Sequence, residues 1–270
     1  MTPSLVPDLT DRPMETGGRI RAFLLLIFLA PWTALWGSWS VVAGLCGSAW
    51  MYRTGMSTWS RGILFISGIK LRVTRQGELN PALSYTFFSN HQSALDIPIL
   101  FAACLKTHDI RFMAKESLFK IPFLGWGMRC TGFIPIHREN ARKFVEIFRQ
   151  TTGSQQTNMH SYVIFPEGTR SSDGRLQPFK SGTIGLAQRM GLPIVPITLI
   201  DSFRANPKGK CRVRKGTVQV IFHEPLQVSG DGDGENRTRR DELVVITHAT
   251  IASALPGEQK EPARNPNQVC

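Results

Sequence analysis

The sequence predicts an α/β protein: a mixed, largely parallel sheet flanked by helices, preceded by a membrane-associated helical segment. Three observations predict it. From Ile63 onward, short apolar or β-branched runs alternate with longer helical patterns, as in chains of strand–helix units. Polar clusters follow two of those runs directly, where α/β folds place their ligands, at the carboxyl ends of strands. Ahead of all this, Ala22 to Trp50 runs 29 positions without a charge.

Taken in order, residues 1–18 read as a flexible start rich in Pro, Thr and Gly. As one helix the uncharged run would span roughly 44 Å, beyond the ~30 Å hydrocarbon core of a bilayer. Pro31 and Gly37, Gly44 and Gly47 predict that it is broken. Trp32, Trp36, Trp39 and Trp50 are of the type favoured at a membrane interface. Basic residues flank both ends, Arg19 and Arg21 before, Arg53 and Arg61 after. That symmetry predicts a kinked hairpin with both ends on the cytoplasmic side. A cleaved signal peptide does not fit: the apolar run is too long and no A-x-A site follows.

Strands are expected near Ser84–Ser89, Ile110–Ala114, Phe133–His137, Tyr162–Phe165, Ile194–Ile200 and Val218–Phe222. Helices are expected at Ala94–Leu105, Leu118–Met128, Asn140–Thr151, Gly182–Met190 and 238–255. Residues 229–237 form a polar loop with no twelfth-position Glu for a calcium site, and 256–270 a loose tail. The expected organisation is a membrane-embedded segment over 1–62, a catalytic domain over 63–228, and a linker, helix and tail over 229–270.

Hydrophobic residues make up 42% of the 270 and charged residues 19%, which excludes a disordered chain. Five scattered cysteines without a C-x-x-C pair point away from structural zinc and from a disulfide framework. The formal net charge is +12, and residues 103–220 alone hold 19 Lys/Arg against 7 Asp/Glu. The whole excess therefore sits mid-chain, where it attracts phosphates: nucleic acid, an anionic membrane face or a phosphorylated small molecule.

Two segments carry chemistry. Asn90-His91-Gln92-Ser93-Ala94-Leu95-Asp96 follows a strand and opens a helix. Asp96 in the first turn can hold one imidazole nitrogen of His91 and leave the other as a proton acceptor. Ser93 and Asp96 also fit a helix start, the purely structural reading. No G-x-S-x-G element supplies a serine nucleophile, so the substrate's own hydroxyl is the candidate for activation. Backbone N–H groups near Ser93 are candidates for the oxyanion. The second segment is Phe165-Pro166-Glu167-Gly168-Thr169-Arg170-Ser171. Gly168 permits close backbone approach, Thr169 offers a hydroxyl, and Arg170 a fork for phosphate. Glu167 beside a phosphate would repel it, so it is expected to orient an arginine or accept from a substrate hydroxyl. Gly132–Arg138 ends another strand on Arg138. Val195-Pro196-Ile197 reads as packing or as a wall for an acyl chain.

In this order and spacing the four segments resemble the glycerolipid acyltransferase family, most closely its lysophosphatidate acyltransferases. Asn90–Asp96 matches N-H-x4-D, Gly132–Arg138 the strand ending in arginine, Phe165–Arg170 F-P-E-G-T-R, and Val195–Ile197 V-P-I. Lys115 in A-K-E-S-L, Ile121–Trp126 and Phe179–Gly182 are also similar to the family. His137 departs from it where many members carry Asp or another polar residue. The resemblance covers roughly residues 65–225. It implies acyl transfer from acyl-CoA or acyl-carrier protein to 1-acylglycerol-3-phosphate, with no metal or redox cofactor, at a cytoplasm-facing membrane surface. It implies His91 and Asp96 as the catalytic pair and Arg138, Glu167, Gly168, Thr169 and Arg170 around the acceptor phosphate. Asn90, Ser93, Lys115 and Pro196 are then supporting residues. The alternatives are a sibling acting on glycerol-3-phosphate or a lyso-aminolipid such as lyso-ornithine lipid, or a non-catalytic lipid-binding scaffold. A nucleic-acid partner is not expected: aromatics sit in apolar runs and no nucleic-acid motif occurs.

Overall fold

The structure is a computed structural model that describes residues 16–136, 160–228 and 236–260. Helix α1 (Thr16–Leu45) and helix α2 (Ala49–Ser67) form an antiparallel hairpin. The predicted break at Pro31 does not occur, and α1 runs through it. The chain turns instead at Cys46–Ser48, where Gly47 has φ +60° and the Ser48 hydroxyl accepts from Met51 N–H. Some of the tryptophans also pack within the hairpin. The Trp32 and Trp39 indoles pack where α2 has Gly62 and Gly55, so close that a Cβ there would lie 2.7 and 2.4 Å from ring atoms. Trp32 Nε1 donates to Trp59 O and Trp39 Nε1 to Met51 O, and Trp59 Nε1 donates to Thr33 Oγ1. Three of the indoles thus tie α1 to α2.

Gly68 (φ +67°) ends α2 in a left-handed cap and turns the chain into strand β1 (Ile69–Arg75). Then follow β2 (Thr86–Ser89), α3 (Asp96–Cys104), β3 (Ile110–Lys115), a 3₁₀ turn (Glu116–Lys120), α4 (Leu124–Cys130) and β4 (Ile134–Ile136). After the undescribed stretch come β5 (Ser161–Ile164), α5 (Ser181–Met190), β6 (Ile194–Ile200), α6 (Ser202–Ala205), β7 (Gly216–Phe222) and α7 (Asn236–Ala254). The strands form one sheet in the order β1-β7-β6-β2-β5-β3-β4. Every neighbouring pair is parallel except β6–β7. This is the mixed, largely parallel sheet the sequence predicts.

Successive residues of the central strands serve opposite layers, as the two-residue strand period requires. Phe87, Phe112, Val163 and Val195 pack with Tyr52, Ile63 and Leu64 of α2 and Ile99 and Leu100 of α3. Phe88, Met113, Ile164 and Ile194 pack on the other face with Ile184 and Ala187 of α5 and Leu243 of α7. Because α2 belongs to the core, it runs through the expected domain boundary at residue 62.

Two elements differ from the sequence reading. Strand β1 has no counterpart in it. Its I-K-L-R-V-T-R alternation lies at the sheet edge with most side chains exposed. The helix expected over Leu118–Met128 is two pieces, because Pro122 lacks an N–H and Phe123 adopts φ +60°. The helix expected over Asn140–Thr151 lies outside the described residues.

Candidate active site

The central strands β2, β5 and β6 run parallel, so the loops after β2 and β5 emerge at one edge of the sheet. The loop after β2 is pinned by Asn90, whose amide donates to Leu199 O and accepts from Leu199 N–H (2.9 and 2.8 Å). Asn90 is thus fully buried and positions the loop.

Asp96, also fully buried, closes that loop with one carboxylate oxygen. Its Oδ2 accepts from Gln92 N–H (2.7 Å) and Ser93 N–H (2.8 Å), and lies 2.8 Å from His91 Nδ1. The network assigns the proton to Nδ1 and leaves Nε2 as the acceptor. The imidazole stacks on Phe165 at 3.8 Å between centroids, tilted by 13°. Phe165 leads the loop after β5, so the two loops meet face to face at the histidine.

Glu167 has different partners from those expected. It is 3% exposed, with Oε1 accepting from His91 N–H (2.7 Å) and Oε2 from Gln177 N–H (3.3 Å). It braces the histidine's backbone, and no arginine touches it among the described residues. Burial pushes its carboxyl up to about 8; the two backbone hydrogen bonds oppose this and Asp96 and Asp173 add to it. A carboxyl pushed toward its neutral form repels a neighbouring phosphate less than an ordinary carboxylate would.

Three of the backbone N–H groups near Ser93, candidates for the oxyanion, already have partners. Those of Gln92 and Ser93 go to Asp96, and that of Leu95 to Ser93 Oγ. Gly168 takes φ +72°, and a Cβ there would meet the Lys180 side chain at 3.0 Å. Thr169 is exposed and Arg170 half-buried on the same turn. Lys115 is exposed at the end of β3. Pro196 is buried within β6 opposite Phe88 and does not line the apolar cavity, so it packs rather than walls an acyl chain. Arg138 lies outside the described residues. Sequence reasoning missed Phe165 as the histidine's stacking partner, and it missed Lys208, whose Nζ reaches Thr169 Oγ1 and Arg170 O.

Beside the dyad lies an apolar cavity of about 800 Å³. Ala94 and Ile97, just after His91, form one wall, and Phe112 another. Phe112 in turn stacks on Phe165. The far wall is α1, through Leu26, Leu29, Ala30 and Gly37. Among the described residues no group of three or more His, Cys, Asp or Glu side chains could hold a metal ion.

A largely parallel sheet with a carboxylate-held imidazole at its strand ends, opening beside an apolar cavity, is the layout of an α/β enzyme. The sequence pattern of the family described as acyltransferase matches residues 70–200. The 1-acyl-sn-glycerol-3-phosphate acyltransferase of Limnanthes douglasii is 31% identical over 198 residues, 73% of this chain and 68% of that protein. The chain belongs to the acyltransferase family. The chloroplastic 1-acyl-sn-glycerol-3-phosphate acyltransferase of Brassica napus is 38% identical over 141 residues, 52% of this chain but 40% of that protein. This chain thus spans well under two thirds of such chloroplastic relatives. The fold matches the crystal structure of the 1-acyl-sn-glycerophosphate (LPA) acyltransferase PlsC from Thermotoga maritima, with TM-score 0.67 at 21% identity over 87% of this chain and 95% of that one.

Proposed function

We propose that the protein transfers an acyl group from acyl-CoA or acyl-carrier protein to the free hydroxyl of 1-acylglycerol-3-phosphate, forming phosphatidic acid. The observation that carries this reading is the His91–Asp96 pair, 2.8 Å apart, opening beside an 800 Å³ apolar cavity. His91 Nε2 takes the acceptor's hydroxyl proton as its oxygen bonds to the thioester carbonyl carbon. The tetrahedral intermediate collapses, the C–S bond breaks, and the imidazolium returns the proton to the leaving thiolate. Asp96 holds the ring and stabilises its cationic form. A positioned base of this kind contributes about 10²–10⁴-fold, and no acyl-enzyme is required. Gly168, Thr169, Arg170 and Arg138 are assigned to the acceptor phosphate. The cavity is assigned to an acyl chain, and the site to the cytoplasmic side of the membrane.

The test is a panel of acceptors with labelled acyl-CoA and acyl-carrier protein on detergent-purified protein. 1-Acylglycerol-3-phosphate should be acylated well ahead of glycerol-3-phosphate and lyso-ornithine lipid. Turnover confined to either of the latter would overturn the acceptor assignment, and inactivity with all three would overturn the catalytic reading.

A further inference from the structure

The active-site rim has a third wall that belongs to none of the four motif segments. It is the tight turn Pro207–Lys210, in which Lys210 N–H donates to Pro207 O and Gly209 takes φ +76°. Pro207 is buried and bridges to Ser93, two residues from His91. The turn is held from behind as well. Asn206 donates to Arg212 O, Arg214 N–H donates to Ala205 O, and Phe203 packs against Gly174 of the Phe165–Gln177 loop. Its position relative to both catalytic loops is therefore fixed by packing.

This wall carries Lys208. Its ammonium donates to Arg170 O at 3.0 Å and to Thr169 Oγ1 at 3.3 Å, both neutral acceptors. The Lys180 side chain lies against Gly168, its Nζ 3.0 Å from where a Cβ would be. Among the described residues neither lysine, nor Arg170, forms an ion pair with a carboxylate. The nearest carboxyl on this loop, Glu167, is buried and pushed toward its neutral form. Asp173 accepts through Oδ1 from Ser171 Oγ, Arg175 N–H and Gln177 Nε2 and forms no ion pair with a cation among the described residues. Three cations from three segments thus meet at one turn, Gly168–Arg170, and none of them is ion-paired among the described residues. Like charges gathered this way are unfavourable unless an anion joins them.

We propose that Lys208 is a specificity-determining residue that binds a phosphate monoester seated on the Thr169–Arg170 turn, together with Arg170 and Lys180. This deepens the acyl-transfer reading and rests on it for the identity of the ligand: the acceptor's own phosphate. The other source of the same chemistry is the 3′-phosphate of the CoA donor. The ammonium's hold on Arg170 O keeps the charge at the turn before the anion arrives, so little side-chain freedom is left to lose on binding.

The test uses the full chain in detergent with 1-acylglycerol-3-phosphate and acyl-CoA. Lys208→Ala should raise the acceptor KM about tenfold, the scale of one charge-assisted hydrogen bond, with kcat and donor KM within twofold. Lys208→Arg should recover most of that loss, because charge and reach are kept. A raised donor KM with an unchanged acceptor KM would overturn the proposal and move Lys208 to the CoA phosphate. A fall in kcat and melting temperature without any KM change would also overturn it, leaving Lys208 as a brace for the turn. Inorganic phosphate supplies an arm independent of turnover. It should raise the melting temperature of the parent protein more than that of Lys208→Ala, and equal shifts would count against the site. Should the parent protein acylate a different acceptor, the acyl-acceptor reading fails while this phosphate arm still decides the role of Lys208.

Discussion

At the scale of single residues, Asp96 does two jobs with one atom, since Oδ2 holds both the imidazole and two backbone N–H groups. His91→Ala should remove turnover while the melting temperature stays near that of the parent, because the ring lies in a loop and stacks on Phe165. Asp96→Asn should also cost about 10²-fold or more in kcat, on the pattern of dyads whose carboxylate sets the tautomer. A helix-cap role alone would make Asp96→Asn nearly silent, so acyl-transfer assays alongside thermal melts separate the two. Glu167 gives a pH signature. Its folded-state value, about 8, lies above the ordinary carboxylate value. The folded form therefore holds a proton that the unfolded chain releases, and stability contributed by this group falls as pH rises from about 4.5 to 8. Chemical denaturation across that window should show a decline that Glu167→Gln flattens. The dyad and the Phe165–Arg170 turn were legible because their residue types sit at fixed spacing beside strands. Lys208 was not: 38 positions separate it from Arg170, and only the return of the chain through β6 and α6 brings them together.

At the scale of elements, the sheet was legible wherever strands are buried on both faces. Thr86–Ser89, Ser161–Ile164 and Ile194–Ile200 are buried throughout and read as continuous apolar runs. Strand β1 escaped because an edge strand with alternating charges carries little apolar signal. The hairpin was half legible. A membrane segment was expected over 22–50, yet glycines taken as breaks proved to be points of close approach. Gly37 and Gly44 let α4 approach so closely that a Cβ on either would lie under 3 Å from α4 or its entry. Gly62→Leu should push the Trp32 indole off α2 and lower stability by about 1–3 kcal/mol, as overpacking does. Thermal unfolding in detergent measures this, and a Trp emission shift should accompany it.

At the scale of the whole molecule, one helix among the described residues is long and apolar enough to cross a membrane, Arg19–Leu45. Phe23, Leu24, Ile27, Leu35 and Val42 on it are exposed. Membranes washed at high salt should keep the protein in the pellet, since apolar insertion is not screened while attraction by the +12 charge is. Release by salt alone would make the basic middle of the chain the anchor. Truncation of either helix reaches the core, because Ala22 and Ala43 of α1 join Tyr52, Ile63 and Leu64 of α2 in it.

The same helix α1 faces outward with its apolar side chains and inward with the cavity wall of Leu26, Leu29, Ala30 and Gly37. With α1 inserted in a bilayer, lipid thickness would bear on a pocket dimension. A thinner host bilayer tilts a long apolar helix and a thicker one straightens it, each at a modest cost per ångström. Any tilt of α1 carries that wall with it. The preferred donor chain length should consequently shift between proteoliposomes of short-chain and long-chain lipids, measured by competition among acyl donors. The enzyme would then match the products it makes to the membrane it sits in.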